Sequence, residues 1–259
     1  MYTVPYQVKL DEIYKHAVSQ GKMEQFIHWV RGRDTYAPCL ESVLENLPHH
    51  FEGGRPRKKT IETSCIQGPV RKDRRLAFSP SYLPLYKDKE TDFATKWKNV
   101  YKGVCHWADH PIEVFEFMHH YYVKEGNKRT SVAKFINMRF MKAEVKRIIP
   151  EESNTDELSR LYHEHLKFEQ DTGIKDLCCS NFGDYERLYE VISGHDDFLD
   201  KIYRPFVQNY SMLRRPRGNY SKGDILLDFI KEKPQEMTDK QMQKTIIRLI
   251  RSRIKRKHF

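Results

Sequence analysis

The run Tyr121-Tyr122-Val123-Lys124-Glu125-Gly126-Asn127-Lys128-Arg129-Thr130-Ser131-Val132-Ala133-Lys134-Phe135 constrains this chain more than any other stretch. Three residues of high strand propensity lead into Glu125-Gly126-Asn127. Val132, Phe135 and Ile136 then share one face of a helix that Asn127 is placed to cap. The pattern reads strand, tight turn, helix. The first turn of such a helix presents N–H groups without intrahelical partners at the positive end of its dipole, and Lys128 and Arg129 add two cations beside them. An anion belongs there, and a phosphate fits best.

The same residues would also serve an ordinary capped helix whose lysine and arginine are solvated. The next segment bears on the choice. Met141 to Ile149 alternates around Ala143 and Val145 and turns apolar at Ile148-Ile149 before Pro150, as a strand does. The unit is therefore β-turn-α-β, with the glycine turn at its ligand end.

On these residues, Glu125-Gly126-Asn127-Lys128-Arg129-Thr130-Ser131-Val132-Ala133 resembles the Gly-x-x-Arg box of the ParB/sulfiredoxin-like superfamily, in which a glycine turn at a helix start holds nucleotide phosphates. It is similar in particular to bacterial ParB-like domains often joined to a basic-membrane-protein type ligand-binding domain. Residues 1–259 look like that N-terminal portion without such a domain after it. The resemblance implies an α/β (α+β) mixed-sheet domain with helical N- and C-terminal extensions. It also implies a nucleoside triphosphate, CTP or ATP, with or without Mg²⁺, and a nucleotide-dependent switch. The expected partners are a nucleotide, DNA and a second copy of the chain.

A second basic segment supports the phosphate reading. A short strand from Ile61 to Ile66 or Gln67 is followed by Gly68-Pro69 and then by four cations between Arg71 and Arg75. Guanidinium forks match phosphate oxygens. Gly68, Arg74 and Phe78 fall where ParB-like relatives carry Gly, Arg and Phe. The expected phosphate-binding residues are Gly68, Arg74, Arg75, Gly126, Asn127, Lys128, Arg129 and Thr130; a merely solvated basic loop is the alternative.

The rest of the chain divides around this centre into a helical lead-in (1–55), the ParB/sulfiredoxin-like domain (56–150), a helical region (151–236) and a basic amphipathic helix (237–259). His49 to Thr60, with Gly53-Gly54, Pro56 and four cations from Arg55 to Lys59, reads as a loop or linker. Residues 91–120 read as two helices, the second starting at Pro111 and ending at His119-His120. Ser221 or Asp224 can cap a later helix, and Thr238-x-x-Gln241 matches a capping box. In the last helix Met242, Ile246 and Ile250 form an apolar stripe. Lys240, Lys244, Arg248, Arg251 and Lys255 lie roughly opposite and are the candidate DNA contacts, with Arg253, Arg256 and Lys257 thickening the basic end.

Net charge +10 and a pI near 9.2 favour an anionic partner. Mean hydropathy of −0.77 and the lack of any long apolar run argue against a membrane span, and the first residues lack the features of a signal peptide, so a cytoplasmic location is expected. Five cysteines without a Cys-x-x-Cys pair favour neither a disulfide scaffold nor a zinc site.

Three chemistries compete. Sulfiredoxins place a catalytic cysteine directly after the box glycine, where this chain has Asn127. A phosphotransferase or NTPase of the same fold would use Glu125 as general base or Mg²⁺ ligand; otherwise Glu125 is a structural partner of Lys128 or of a loop arginine. A Fic-type nucleotidyl transferase shares the Glu-Gly-Asn-Lys-Arg half of the box, but Tyr121 stands at the activating position, and Fic domains are helical throughout.

Overall fold

A computed structural model describes residues 6–45, 50–86, 92–118, 120–152, 156–213 and 221–256, and the chain divides into two units, Met1–Glu151 and Glu152–Phe259. In the first unit the elements run α1 (Tyr6–Val30), α2 (Leu40–Leu44), β1 (His50–Glu62), β2 (Ile66–Pro69), α3 (Lys72–Arg75), α4 (Phe93–Lys102), α5 (Val104–Trp107), β3 (Ile112–Phe117), β4 (His120–Glu125), α6 (Asn127–Phe135) and β5 (Phe140–Pro150). The strands form one mixed sheet in the order β1-β5-β3-β4-β2. β1 is antiparallel to β5 and β4 to β3, whereas β3 runs parallel to β5 and β2 parallel to β4. The α/β class and the β4-turn-α6-β5 unit agree with the sequence.

Two segments depart from it. The stretch read as a linker is the edge strand β1. Its glycines and proline are absorbed by a bulge: Gly53 pairs with Arg147 and Arg57 with Val145, so β1 carries two more residues than β5 between those pairs. Gly54, at φ +65°, and Pro56 fall among the extra residues, where no ladder hydrogen bond is lost. The segment read as a helix from Pro111 is strand β3. Ile112 and Val114 are buried while Glu113 between them is exposed, and β4 and β5 supply hydrogen bonds on both sides. His120 therefore begins β4 instead of ending a helix, and His119 lies outside the described residues. The strand expected from Ile61 is likewise split, because Thr63–Cys65 forms a 3₁₀ turn between β1 and β2.

Helices cover the apolar face of this sheet. Tyr14 and Ala17 of α1, Trp97 of α4 and Val132 and Ala133 of α6 pack with Ile112, Val114, Val123, Ala143 and Val145. The lead-in thus belongs to the same core as the sheet. Trp97 stacks against Tyr101, meets Phe135 edge-on, and donates its indole N–H to the Ser131 hydroxyl at 3.0 Å, which satisfies the only polar atom it buries.

The second unit contains α7 (Glu157–Thr172), α8 (Asp184–Ser193), a π-helical turn (Leu199–Tyr203) leading into α9 (Arg204–Met212), α10 (Lys222–Ile230) and α11 (Asp239–Arg256). Three of its helix starts, those of α7, α10 and α11, carry side-chain caps. Asp156 accepts from Ser159 N–H, Ser221 accepts from Asp224 N–H, and Gln241 Oε1 accepts from Thr238 N–H at 2.8 Å in the expected capping box. The Met242, Ile246 and Ile250 stripe is buried, and α11 packs against α9 and α10.

Candidate phosphate-binding cleft

β4 ends at Glu125, and Gly126 turns the chain with φ +103°. A Cβ at this position would stand 2.5 Å from Cγ2 of buried Ile112, so conformation and space both require glycine. Gly126, not Asn127, occupies the cap position of α6. Asn127 is the first helical residue, and its Oδ1 accepts the Tyr82 hydroxyl at 2.6 Å. Tyr82 is fully buried at φ +68°, an uncommon conformation for a bulky residue, and burial pushes its phenol well above the usual range, so it stays a neutral donor. The helical ladder opens with Thr130 N–H donating to Gly126 C=O at 2.9 Å. The N–H groups of Asn127, Lys128 and Arg129 precede it.

Those groups border a cleft of about 980 Å³. Glu125 to Arg129 form one wall; Arg71, Arg74 and Lys124 add cations, and Trp107, Phe115 and Val123 add apolar surface. Sheet topology explains the convergence. β2 runs parallel to β4, and Val70 N–H continues the pairing by donating to Val123 C=O at 3.0 Å. Both strands deliver their C-terminal ends to the same side, so the basic segment after β2 arrives beside the glycine turn.

Within the cleft, Lys128 is half-buried, with its ammonium 4.9 Å from the centre of the Phe93 ring. Burial, then the charge of Lys96, lowers its pKa. Arg71 forms a two-pronged bond to Asp73 at 3.0 and 3.1 Å, and Arg74 approaches the same carboxylate at 3.9 Å. All three side chains are largely exposed, so these bonds are readily exchanged for a stronger anion. Arg129 lines the cleft but aims Nη1 at the carbonyls of His110 and Pro111, 3.2 and 3.1 Å away. It clasps the loop leading into β3.

The structure places the remaining expected phosphate ligands elsewhere. Gly68 allows close backbone approach: a Cβ there would overlap Pro38 C=O at 1.6 Å. Arg75 donates Nε to Ala37 C=O at 2.9 Å and pairs with Asp34. Thr130 is fully buried, its hydroxyl bonded to Gly126 C=O at 3.2 Å. Glu125 does face the cleft. It pairs in register with Glu113, which pairs in turn with Glu144, giving a row of carboxylates across three strands that Lys124 and Lys58 partly neutralise. Among the described residues no group of three His, Cys, Asp or Glu side chains is arranged to hold a metal ion.

Sequence reasoning put Arg71 in the basic loop without counting it as a phosphate ligand, and overlooked Lys124 and Trp107 as cleft residues and Tyr82 as the anchor of Asn127. Arg71 lies two residues past the end of β2 and Lys124 immediately precedes the box, so both were open to inference. The link between Tyr82 and Asn127 is tertiary and leaves no local signal.

On α11, Lys240, Lys244 and Arg251 are exposed, Arg248 pairs with Glu232 at 2.8 Å, and the side chain of Lys255 lies outside the described residues, as does Lys257. Arg253 points inward to Asp224 and Asp228 at 3.0 and 2.7 Å, so it anchors the bundle instead of thickening a basic surface. Among the described residues no helix is long and apolar enough to cross a membrane.

No protein-family model matches this chain, and no curated protein matches it significantly.

Proposed function

We propose that the cleft binds a nucleoside triphosphate through its phosphates and that the first unit is a ParB/sulfiredoxin-like domain. One observation carries the reading: left-handed Gly126 opens the unladdered N–H groups of Asn127, Lys128 and Arg129 into a space where Arg71, Arg74, Lys124 and Lys128 also converge. A cleft of about 980 Å³ accommodates a nucleotide. Trp107 and Phe115 offer surfaces for the base. The backbone N–H groups recognise phosphate oxygens, Lys128 and Arg74 supply charge, and Mg²⁺ would arrive bound to the nucleotide phosphates.

The test is a thermal-shift and titration series with CTP, ATP and the other common nucleoside triphosphates, with and without Mg²⁺. Lys128→Ala should weaken binding about ten- to hundredfold, the loss of a charge-assisted contact worth about 1.5–3 kcal/mol. Arg75→Ala should leave affinity unchanged. A lack of stabilisation by every nucleotide, or full affinity in Lys128→Ala, would overturn the reading.

A phosphoryl-transfer variant of the same reading has one observation in its favour, the position of Glu125 on the cleft wall beside the glycine turn. As general base it would deprotonate the attacking hydroxyl or water. Glu125→Gln should then abolish turnover while nucleotide stays bound. The Fic-type alternative requires helix on both sides of the box, whereas here strand β4 precedes α6 and strand β5 follows it.

A further inference from the structure

The bulged edge strand β1 carries a feature that the cleft does not use. Arg55, Arg57, Lys58 and Lys59 are all exposed and stand in five consecutive positions on an outer strand of the sheet. Lys58 reaches Glu144 only at 3.9 Å, and no ion pair is formed by Arg55, Arg57 or Lys59 among the described residues. We infer that this edge is a binding surface for the sugar–phosphate backbone of a nucleic acid.

Three observations favour that partner. Cross-strand pairing puts Arg57 beside Val145 and Lys59 beside Ala143 on one side of the sheet, with Lys58 beside Glu144 on the other. The two same-side cations are thus about 6.6–6.8 Å apart along a straight line, a linear array suited to a chain of phosphates. The bulge sets Gly54-Arg55-Pro56 opposite a single residue of β5, so Arg55 is exposed at a point where the ladder is interrupted and the strand bends. From Gly54 to Thr60 every residue is exposed and none is aromatic or aliphatic apart from the proline ring, so the surface offers nothing to insert into a lipid bilayer.

Register also fixes where the nucleic acid would lie. Lys58, Glu144, Glu113 and Glu125 align across β1, β5, β3 and β4, which sets the basic edge level with the glycine turn and about 14 Å from it, three interstrand spacings away. The intervening carboxylates repel a polyanion from the sheet face. The backbone would therefore run along the outer side of β1, at the same end of the sheet as the cleft. This inference stands apart from the nucleotide reading, since the two surfaces share no residue.

Lysines, prolines and bulges on an edge strand also guard against edge-to-edge aggregation, and the experiment must separate the two roles. Fluorescence anisotropy with a labelled duplex DNA and the matching single strand, read over a salt series, would be run on the full chain. It would compare the parent, the triple variant Arg55→Gln, Arg57→Gln, Lys59→Gln, and a triple variant on α11 (Lys240→Gln, Lys244→Gln, Arg251→Gln). The β1 variant should lose at least tenfold in affinity for one or both strands forms, and its plot of log affinity against log salt should flatten by about 0.9 for each duplex phosphate contact removed. Its stabilisation by nucleotide should be intact. Should the triple variant aggregate, Arg57→Gln alone is read the same way, with a slope change of about one contact. Unchanged affinity and slope in the β1 variants, loss confined to the α11 variant, or binding of the parent to anionic vesicles but to neither DNA form would each overturn the proposal.

Discussion

The two basic runs of this chain, Arg55 to Lys59 on β1 and Lys240 to Arg253 on α11, look alike in sequence and end in different surroundings. On α11 the cations are distributed around a helix, so some inevitably face neighbouring elements: Arg253 meets Asp224 and Asp228, and Arg248 meets Glu232. Among the described residues, no other strand covers the edge about which the β1 side chains alternate, and the only ion pair from Arg55 to Lys59 is the long one from Lys58. A basic run is therefore not yet a basic surface. What decides is whether the packing of the element brings carboxylates within reach.

The largest effect that could break this comparison is at Arg253. Asp224 is 1% exposed and also accepts the Ser180 N–H, so removing the guanidinium leaves a buried carboxylate without its counter-ion. Arg253→Ala should cost about 3–5 kcal/mol in urea unfolding, whereas Arg251→Ala, two residues away on roughly the opposite face and exposed, should stay within about 0.5 kcal/mol. Equal effects would mean that α11 does not sort its cations in this way. Truncation of the helix would be a poor substitute, because it also removes the buried Met242, Ile246 and Ile250.

A smaller effect sharpens the open side of the comparison. The anion site proposed for the cleft would rest on backbone N–H groups as well as cations, and Gly126 sets the turn that starts their helix. Gly126→Ala forces a side chain into the left-handed region and against Ile112, which should cost about 2–3 kcal/mol and abolish stabilisation by nucleotide. A variant of parental stability with full nucleotide response would show that the cations alone form the site.

The legible parts of the fold were those whose information is local. The glycine turn, the alternation through Ala143 and Val145, the α11 stripe and the Thr238–Gln241 box each lie within one short segment. β1 was illegible because glycine and proline within a strand read as a break, and only its pairing with distant β5 shows that a bulge accommodates them. β3 was misread because Ile112, Val114, Phe115 and Met118 fit a helical face as readily as a pleat, and the choice is made by hydrogen bonding to β4 and β5. In the cleft, residues 125 to 129 and Arg74 could be nominated from their types. Which of those side chains remain open could not, since the carbonyls that engage Arg129 and Arg75 come from other segments, at His110, Pro111 and Ala37.

The smallest expected effect concerns the carboxylates that surround Arg253's side of the comparison. Glu164 on α7 accepts the Gly183 N–H with both oxygens, at 3.0 and 3.1 Å, at the start of α8. Burial raises its pKa above the ordinary 4.5; the Gly183 bond opposes that shift, and Glu186 and Asp184 add to it. Between 4.5 and the raised value the folded chain holds a proton that the unfolded chain has released, so stability falls as pH rises through that window, and the penalty persists above it. Glu164→Gln keeps a carbonyl acceptor for Gly183 and removes the charge. It should be more stable than the parent at pH 7 by no more than about 0.5 kcal/mol, with the difference vanishing below the unfolded-state value. Unfolding midpoints measured from pH 4 to 7 would check this. A variant less stable than the parent at pH 7 would show that the charged carboxylate is favoured by the N-terminal dipole of α8 more than burial and its acidic neighbours disfavour it, so that here too an ion is held by a specific partner.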